Sequence, residues 1–212
     1  MKRTLLKITS PLLLVAVCLV FMSYQNFPTE NDKHQAQAVI AEMNRCRQNP
    51  KEYAETVLRK RLECFIYDKI YLDANGKRIK TKEGRGRILE AIDELKGIDP
   101  VEPLTYDEGL TNAARFHCSD IGPSGHTGHN SRDGTSMGDR LKRYVKDRIT
   151  MGENIDYGNS SAEDIVVNLV IDDGVTNRGH LKNIMNSSFR RAGVALGPHK
   201  KYKYMCVIDF SD

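Results

Sequence analysis

Tryptophan is absent from the 212-residue chain, and aromatic residues make up only 7% of it. Charge of one sign is also in short supply as a block. The net value is +4, with both signs interspersed, so the basic stripe interleaved with aromatics that marks a nucleic-acid surface is missing. After Cys18 the cysteines are Cys46, Cys64, Cys118 and Cys206. They form no C-x-x-C pair, which argues against a zinc ribbon or a thioredoxin-type redox centre. There is no G-x-S-x-G nucleophile elbow, because "GPSG" at Gly122 reads as a loop and not as a strand-to-helix turn. Internal repeats and low-complexity tracts are lacking too. The longest apolar run, Pro11 to Met22, falls short of the roughly 20 residues that a membrane-spanning helix takes.

What is there fits an exported single domain. Lys2, Arg3 and Lys7 precede that apolar run, the order of an export signal. Residues 1–23 are therefore read as a signal peptide, or as a membrane anchor if uncleaved, and 24–35 as a polar linker. Val17 before Cys18 and apolar residues after it make lipidation a poor alternative. The rest, 40% hydrophobic and 28% charged over the whole chain, suffices for one core. Four cysteines allow two disulfides in three pairings, against the plain alternative of buried thiols.

Val39, Ile40, Met43 and Cys46 share one face of an expected first helix. Asn49, Pro50 and Glu52 look like the start of a second helix running to about Leu62. Asn75-Gly76 between alternating apolar residues is the signature of a hairpin with a type I′ turn. "RILEAIDELKG" reads as helix. Thr105 and Glu108 have capping-box spacing ahead of a helix whose inward face is Leu110, Ala113, Ala114, His117 and Ile121. Residues 122–158 are rich in Gly, Ser, Asp and Asn, too long for an ordinary loop and so a functional one. "SSAEDIVVNLVIDDG", capped by Ser160 or Ser161, and "HLKNIM" return to helix. "RRAGVALG" and "KYMCVIDF" end the chain as two antiparallel strands. The whole reads as one α+β domain, residues 36–212, with an insertion at about 64–97.

Four stretches carry polar residues that suit chemistry: His126 and His129 in "GHTGHNSRDG", Glu153 in "MGENI", Asp172 and Asp173 in "LVIDDG", and His180 in "TNRGHLKNIMN". Gly179 clears side-chain bulk beside that last imidazole. Two imidazoles and two carboxylates are at once a metal-ligand set and a general acid/base set. Each has a plainer role open to it. Glu153 could accept loop N–H bonds, Asp172 or Asp173 could end a helix, His126 could be a solvated loop residue, and His117 a hydrogen-bonded core histidine.

From Val39 to Phe210 the chain resembles the CAP superfamily, the cysteine-rich secretory, antigen 5 and pathogenesis-related (SCP-like) proteins, in its bacterial branch. "PLTYDEGLTNAARFHCSD", "GHNSRDGTSMGDRL", "MGENI", "NRGHLKNIMNSSFRRAGVALG" and "YMCVIDF" carry the resemblance, in family order. It implies a three-layer α-β-α sandwich with a central antiparallel sheet. It also implies a cleft with two histidines and two acids, which fall here on His129, Glu153, His180 and Asp172, with Asp173 a rival for the last. The family's second acid is usually a glutamate in a W-x-x-E stretch; here "LVID" replaces it.

The resulting expectation is a secreted or extracytoplasmic binding module. Its cleft would hold a divalent metal, zinc above all, on His129, His180, Glu153 and Asp172, together with a small molecule, lipid or peptide. Membrane contact would come only through the N-terminal segment, and nucleic acid is not expected as a partner. One alternative is a metal-assisted, peptidase-like hydrolase with Glu153 as the catalytic base. Another is a lipid or sterol carrier.

Overall fold

The computed structural model describes residues 30–212; the signal or anchor assigned to residues 1–23 lies outside them. Among the described residues no helix is long and apolar enough to cross a membrane. Helix α1 (Glu30–Gln48) buries Ala36, Val39, Ile40, Met43 and Cys46, the apolar stripe expected from their spacing. It starts inside the stretch expected to be linker, so residues 30–35 are helical, with acids in the first turn suiting the helix dipole.

The second helix is broken in character. It runs as α2 (Pro50–Tyr53), a π-helical turn Ala54–Leu58 and α3 (Arg59–Glu63). Pro50 sits at its start as expected, but Asn49 makes no side-chain cap. The stretch read as an insertion contains a three-stranded antiparallel sheet of β1 (Phe65–Tyr67), β2 (Ile70–Leu72) and β3 (Arg78–Lys80). Its hairpin turn is not type I′, because only Gly76 has a positive φ (75°). Asp73 does the work instead, accepting the N–H groups of Asn75 and Lys77 at 2.9 and 2.8 Å, an Asx-type turn. Helix α4 (Arg85–Lys96) follows.

Strand β4 (Thr105–Tyr106) contains Thr105, so that residue caps nothing; Asp107 caps α5 (Glu108–Ile121) by accepting Leu110 N–H at 2.9 Å. The polar stretch 122–158 is only partly loop. It contains α6 (Met137–Leu141) and, unexpectedly, the edge strand β5 (Met151–Tyr157), buried on both faces for most of its length. That double burial hides the alternation by which a strand is usually recognised. Ser161 caps α7 (Ala162–Ile171). Helix α8 (Gly179–Ile184), β6 (Arg191–His199) and β7 (Lys203–Ser211) complete the chain.

The second sheet has the order β4-β6-β7-β5. It is antiparallel but for the two-residue parallel pairing of β4 with β6. Successive side chains point to opposite faces, and this divides the core. Ala192, Val194, Cys206, Ile208 and Phe210 join α1 and α7 on one side. Ala195, Met205 and Val207 join Ala114, Cys118 and Ile121 of α5 on the other. The result is an α+β domain with helices on both faces of a central sheet. Among the described residues the four cysteines are free thiols, Cys46, Cys118 and Cys206 buried and Cys64 partly so; no disulfide is needed to close this core.

Two close approaches fix the layers. Arg47 is fully buried and its guanidinium donates to Glu102 O, Ile184 O, Asn186 O and Phe189 O at 2.5–3.1 Å, pinning the end of α8 to α1. On the other face, α5 lies directly on Gly193. A Cβ there would stand 2.0 Å from Thr111 N and 2.2 Å from Leu110 C. Gly193→Ala should therefore cost more than about 3 kcal/mol, at the upper end of overpacking penalties, measured by urea unfolding. A loss below about 1 kcal/mol would mean that α5 is free to retreat.

Candidate functional site

Strand β5 supplies the centre of the site because its neighbours alternate. Glu153 pairs with Asp209 across β7 and looks toward α5, whereas Asn154 pairs with Ile208 and looks toward the α1–α7 core. On the α5 side Glu153 is buried, 0% of its side chain exposed. One carboxylate oxygen accepts from Arg140, also fully buried, in a short contact. The other accepts from His129 Nδ1 at 2.8 Å.

The loop that brings His129 here is held three ways. Tyr157 Oη accepts Gly128 N–H at 3.0 Å, His117 Nε2 meets Gly128 O at 2.9 Å, and Arg140 donates to His129 O at 2.8 Å. Gly128 has φ 109°, open to glycine but strained for other residues. The His129 side chain remains 52% exposed, although its Nδ1 meets a buried carboxylate.

A second dyad mirrors the first. Asp172 ends α7 in a left-handed conformation, φ 57°, and both its oxygens serve His180. Oδ1 meets Nδ1 at 2.6 Å, and Oδ2 accepts the backbone N–H at 3.0 Å. His180 O accepts from Asn154 Nδ2 at 3.0 Å, and Asn183 Nδ2 donates to Asn154 Oδ1 at 2.8 Å. Each dyad is thus tied to one of two consecutive β5 residues. Asp173, the rival for this slot, accepts Lys82 and Glu83 N–H groups instead.

All four oxygens of Glu153 and Asp172 are engaged. Among the described residues no group of three or more His, Cys, Asp and Glu is placed to hold a metal ion. Each carboxylate meets Nδ1 of one imidazole, Glu153 that of His129 and Asp172 that of His180. His126 is exposed on Ser124 and His117 is a buried core histidine, the plainer of the roles open to each. Burial lowers the pKa of His117.

A family model described as the cysteine-rich secretory protein family, CAP, matches residues 89–210, more than half of the chain. The chain belongs to the CAP family. The uncharacterized protein YkwD of Bacillus subtilis is 29% identical over 108 residues, which are 51% of this chain and 40% of YkwD; this chain thus spans well under half of that relative. A Bacillus anthracis extracellular protein containing an SCP domain is 22% identical, with TM-score 0.43 over 60% of this chain and 37% of its own. An outer surface protein of Borrelia burgdorferi is 18% identical, with TM-score 0.45 over 53% and 79% of the two chains.

Sequence reasoning missed the residues that hold this CAP site together. Arg140 lies in a five-residue helix among exposed charges, and nothing in its neighbourhood marks it as buried. Asp209 alternates with apolar residues in "VIDF" and is fully buried beside Glu153, both oxygens without a partner among the described residues. Burial first, and the adjoining Glu153 carboxylate second, push its pKa well above the ordinary carboxylate range. On the opposite face Asp156 is raised to about 6 by burial, despite hydrogen bonds from Asn168 and Asn159.

A carboxyl raised on folding favours the folded state while protonated and penalises it as pH rises past its unfolded value. The Asp209 penalty therefore begins near pH 4 and is present at neutrality. Asp209→Asn should stabilise the protein at pH 7.5, with the gain vanishing toward pH 4. Denaturant melts at the two pH values check this. A variant equally destabilised at both would show that the ionised carboxylate is needed.

Proposed function

We propose that this chain is an exported CAP-domain binding module whose ligand is engaged by the Nε2 edges of His129 and His180. The observation that carries the reading is the pair of buried carboxylates, each locking Nδ1 of one ring. That arrangement spends folding energy on ring orientation, which a merely solvated histidine does not require. Neutral imidazoles suit zinc or a similar divalent ion, and a carboxylate behind the ring raises its basicity as a ligand. His129 and His180 are the residues that would hold such an ion. The remaining positions would fall to solvent or to a small molecule, lipid or peptide bound with it. Export is supported by the charged and apolar order of the N-terminal sequence and by relatives described as extracellular and outer-surface proteins.

Glu153 fits poorly as the base of a hydrolase. It is buried, and both oxygens are committed to Arg140 and His129, whereas a base needs an oxygen within reach of its water. A lipid carrier would want an apolar hollow. Two cavities of about 440 and 390 Å³ are lined in part by Glu102 and Arg190, and by Lys60, Arg61, Asp73 and Asp164.

Titration calorimetry of zinc into the full chain tests the reading. His129→Ala and His180→Ala should each weaken binding at least about tenfold, in line with loss of one ligand interaction of about 1.4 kcal/mol or more. Glu153→Gln should weaken it less. Affinity unchanged in both alanine variants would remove the two rings from any role in metal binding.

A further inference from the structure

The insertion, which carries no role in the family resemblance, reaches back to the loop that presents His180. Asp173 accepts Lys82 N–H at 2.7 Å and Glu83 N–H at 2.8 Å, one on each carboxylate oxygen. Glu83 returns the contact. Its carboxylate accepts Gly174 N–H at 2.5 Å and both Arg178 Nη groups at 2.9 and 2.8 Å. Arg178 Nη1 in turn donates to Asp172 O at 3.0 Å and Val175 O at 2.9 Å. The chain of contacts runs from the insertion to Asp172, whose carboxylate holds the His180 ring.

The clamped loop carries two strained backbone positions. Asp172 and Arg178 both sit in the left-handed region, at φ 57° and 51°. Such strained residues persist only where surroundings over-determine them. The insertion end of the clamp is itself fixed. Lys69 Nζ donates to Lys82 O and Arg85 N–H to Asp68 O, each at 2.8 Å. At Gly84, φ 81°, a Cβ would stand 2.7 Å from Asp68 O. Arg178 bonding holds the Glu83 carboxyl down at about 2, so the clamp keeps its charge throughout the physiological range.

We infer that the insertion is a strut for the binding site, with Glu83 and Asp173 as positioning residues that set the His180 ring through Arg178 and Asp172. This rests on the reading of His180 as a ligand contact.

The test compares the full chain with Glu83→Gln and Asp173→Asn. Glu55→Gln, which removes an exposed charge cluster with Arg59 and Lys96, serves as the control. Three readouts are taken: ring proton resonances of His180 and His129, amide exchange of residues 174–178, and affinity for zinc alone. Both clamp variants should broaden or split the His180 signals, leave those of His129 in place, speed exchange in 174–178, and weaken zinc binding several-fold to about tenfold, the lower end for outer-sphere partners. The control should do none of this. Unchanged His180 signals and exchange in both clamp variants would overturn the inference. Should His180→Ala leave zinc affinity unaltered, the binding proposal fails by itself, and the ring signals and exchange rates still decide the strut.

Discussion

Arg140 and Glu153 bury their charges against each other, and the α5 side of the site is organised by that contact. Either charge alone in the interior would carry a desolvation cost of several kcal/mol. Together they offset much of that cost, although Arg140 Nε has no partner among the described residues. Arg140 also donates to the backbone oxygen of His129, and Glu153 also meets the ring of the same residue. A histidine in a long polar loop is thereby held at both backbone and side chain without being buried itself.

The second dyad follows the same logic with different materials. Asp172 needs no arginine against its carboxylate, because the backbone N–H of His180 takes its second oxygen. Its left-handed backbone aims the carboxylate back at the ring, and the insertion holds that backbone through Arg178 and Glu83. The two imidazoles are therefore tied to consecutive residues of one strand, His129 through Glu153 on the α5 side and His180 through Asn154 on the other. Strand β5 keeps its own position through seven residue pairs with β7. Arg47, buried on the far side of α8, closes the arrangement by tying that helix's end to α1.

Much of this was legible in the sequence, for identifiable reasons. The helices α1, α5 and α7 show their apolar faces at helical spacing, and the last two strands show theirs as short β-branched runs, so the α+β class followed. His129, Glu153, His180 and Asp172 were picked out, and the structure groups them as two acid–imidazole pairs. What sequence could not convey was the direction of the carboxylates, a ligand and an outer partner being the same residue type. Strand β5 escaped notice because alternation vanishes when both faces are buried. The caps at Asn49 and Thr105 failed because the spacing of a capping pair does not fix backbone angles; at α5 Asp107, two residues on, is the one in place. Arg140, Arg47 and Glu83 act over long sequence separations, and no local pattern announces such contacts.

Binding through these histidines depends on ring orientation, and the protonation site of each imidazole reports it most directly. Long-range proton–nitrogen correlation spectra at pH 8 distinguish the two neutral tautomers. The rings of His129 and His180 should both carry the proton on Nδ1, donated to Glu153 and Asp172, with Nε2 bare and available. A proton resident on Nε2 of either ring would mean that its carboxylate does not hold it, and the proposed binding edge would be closed.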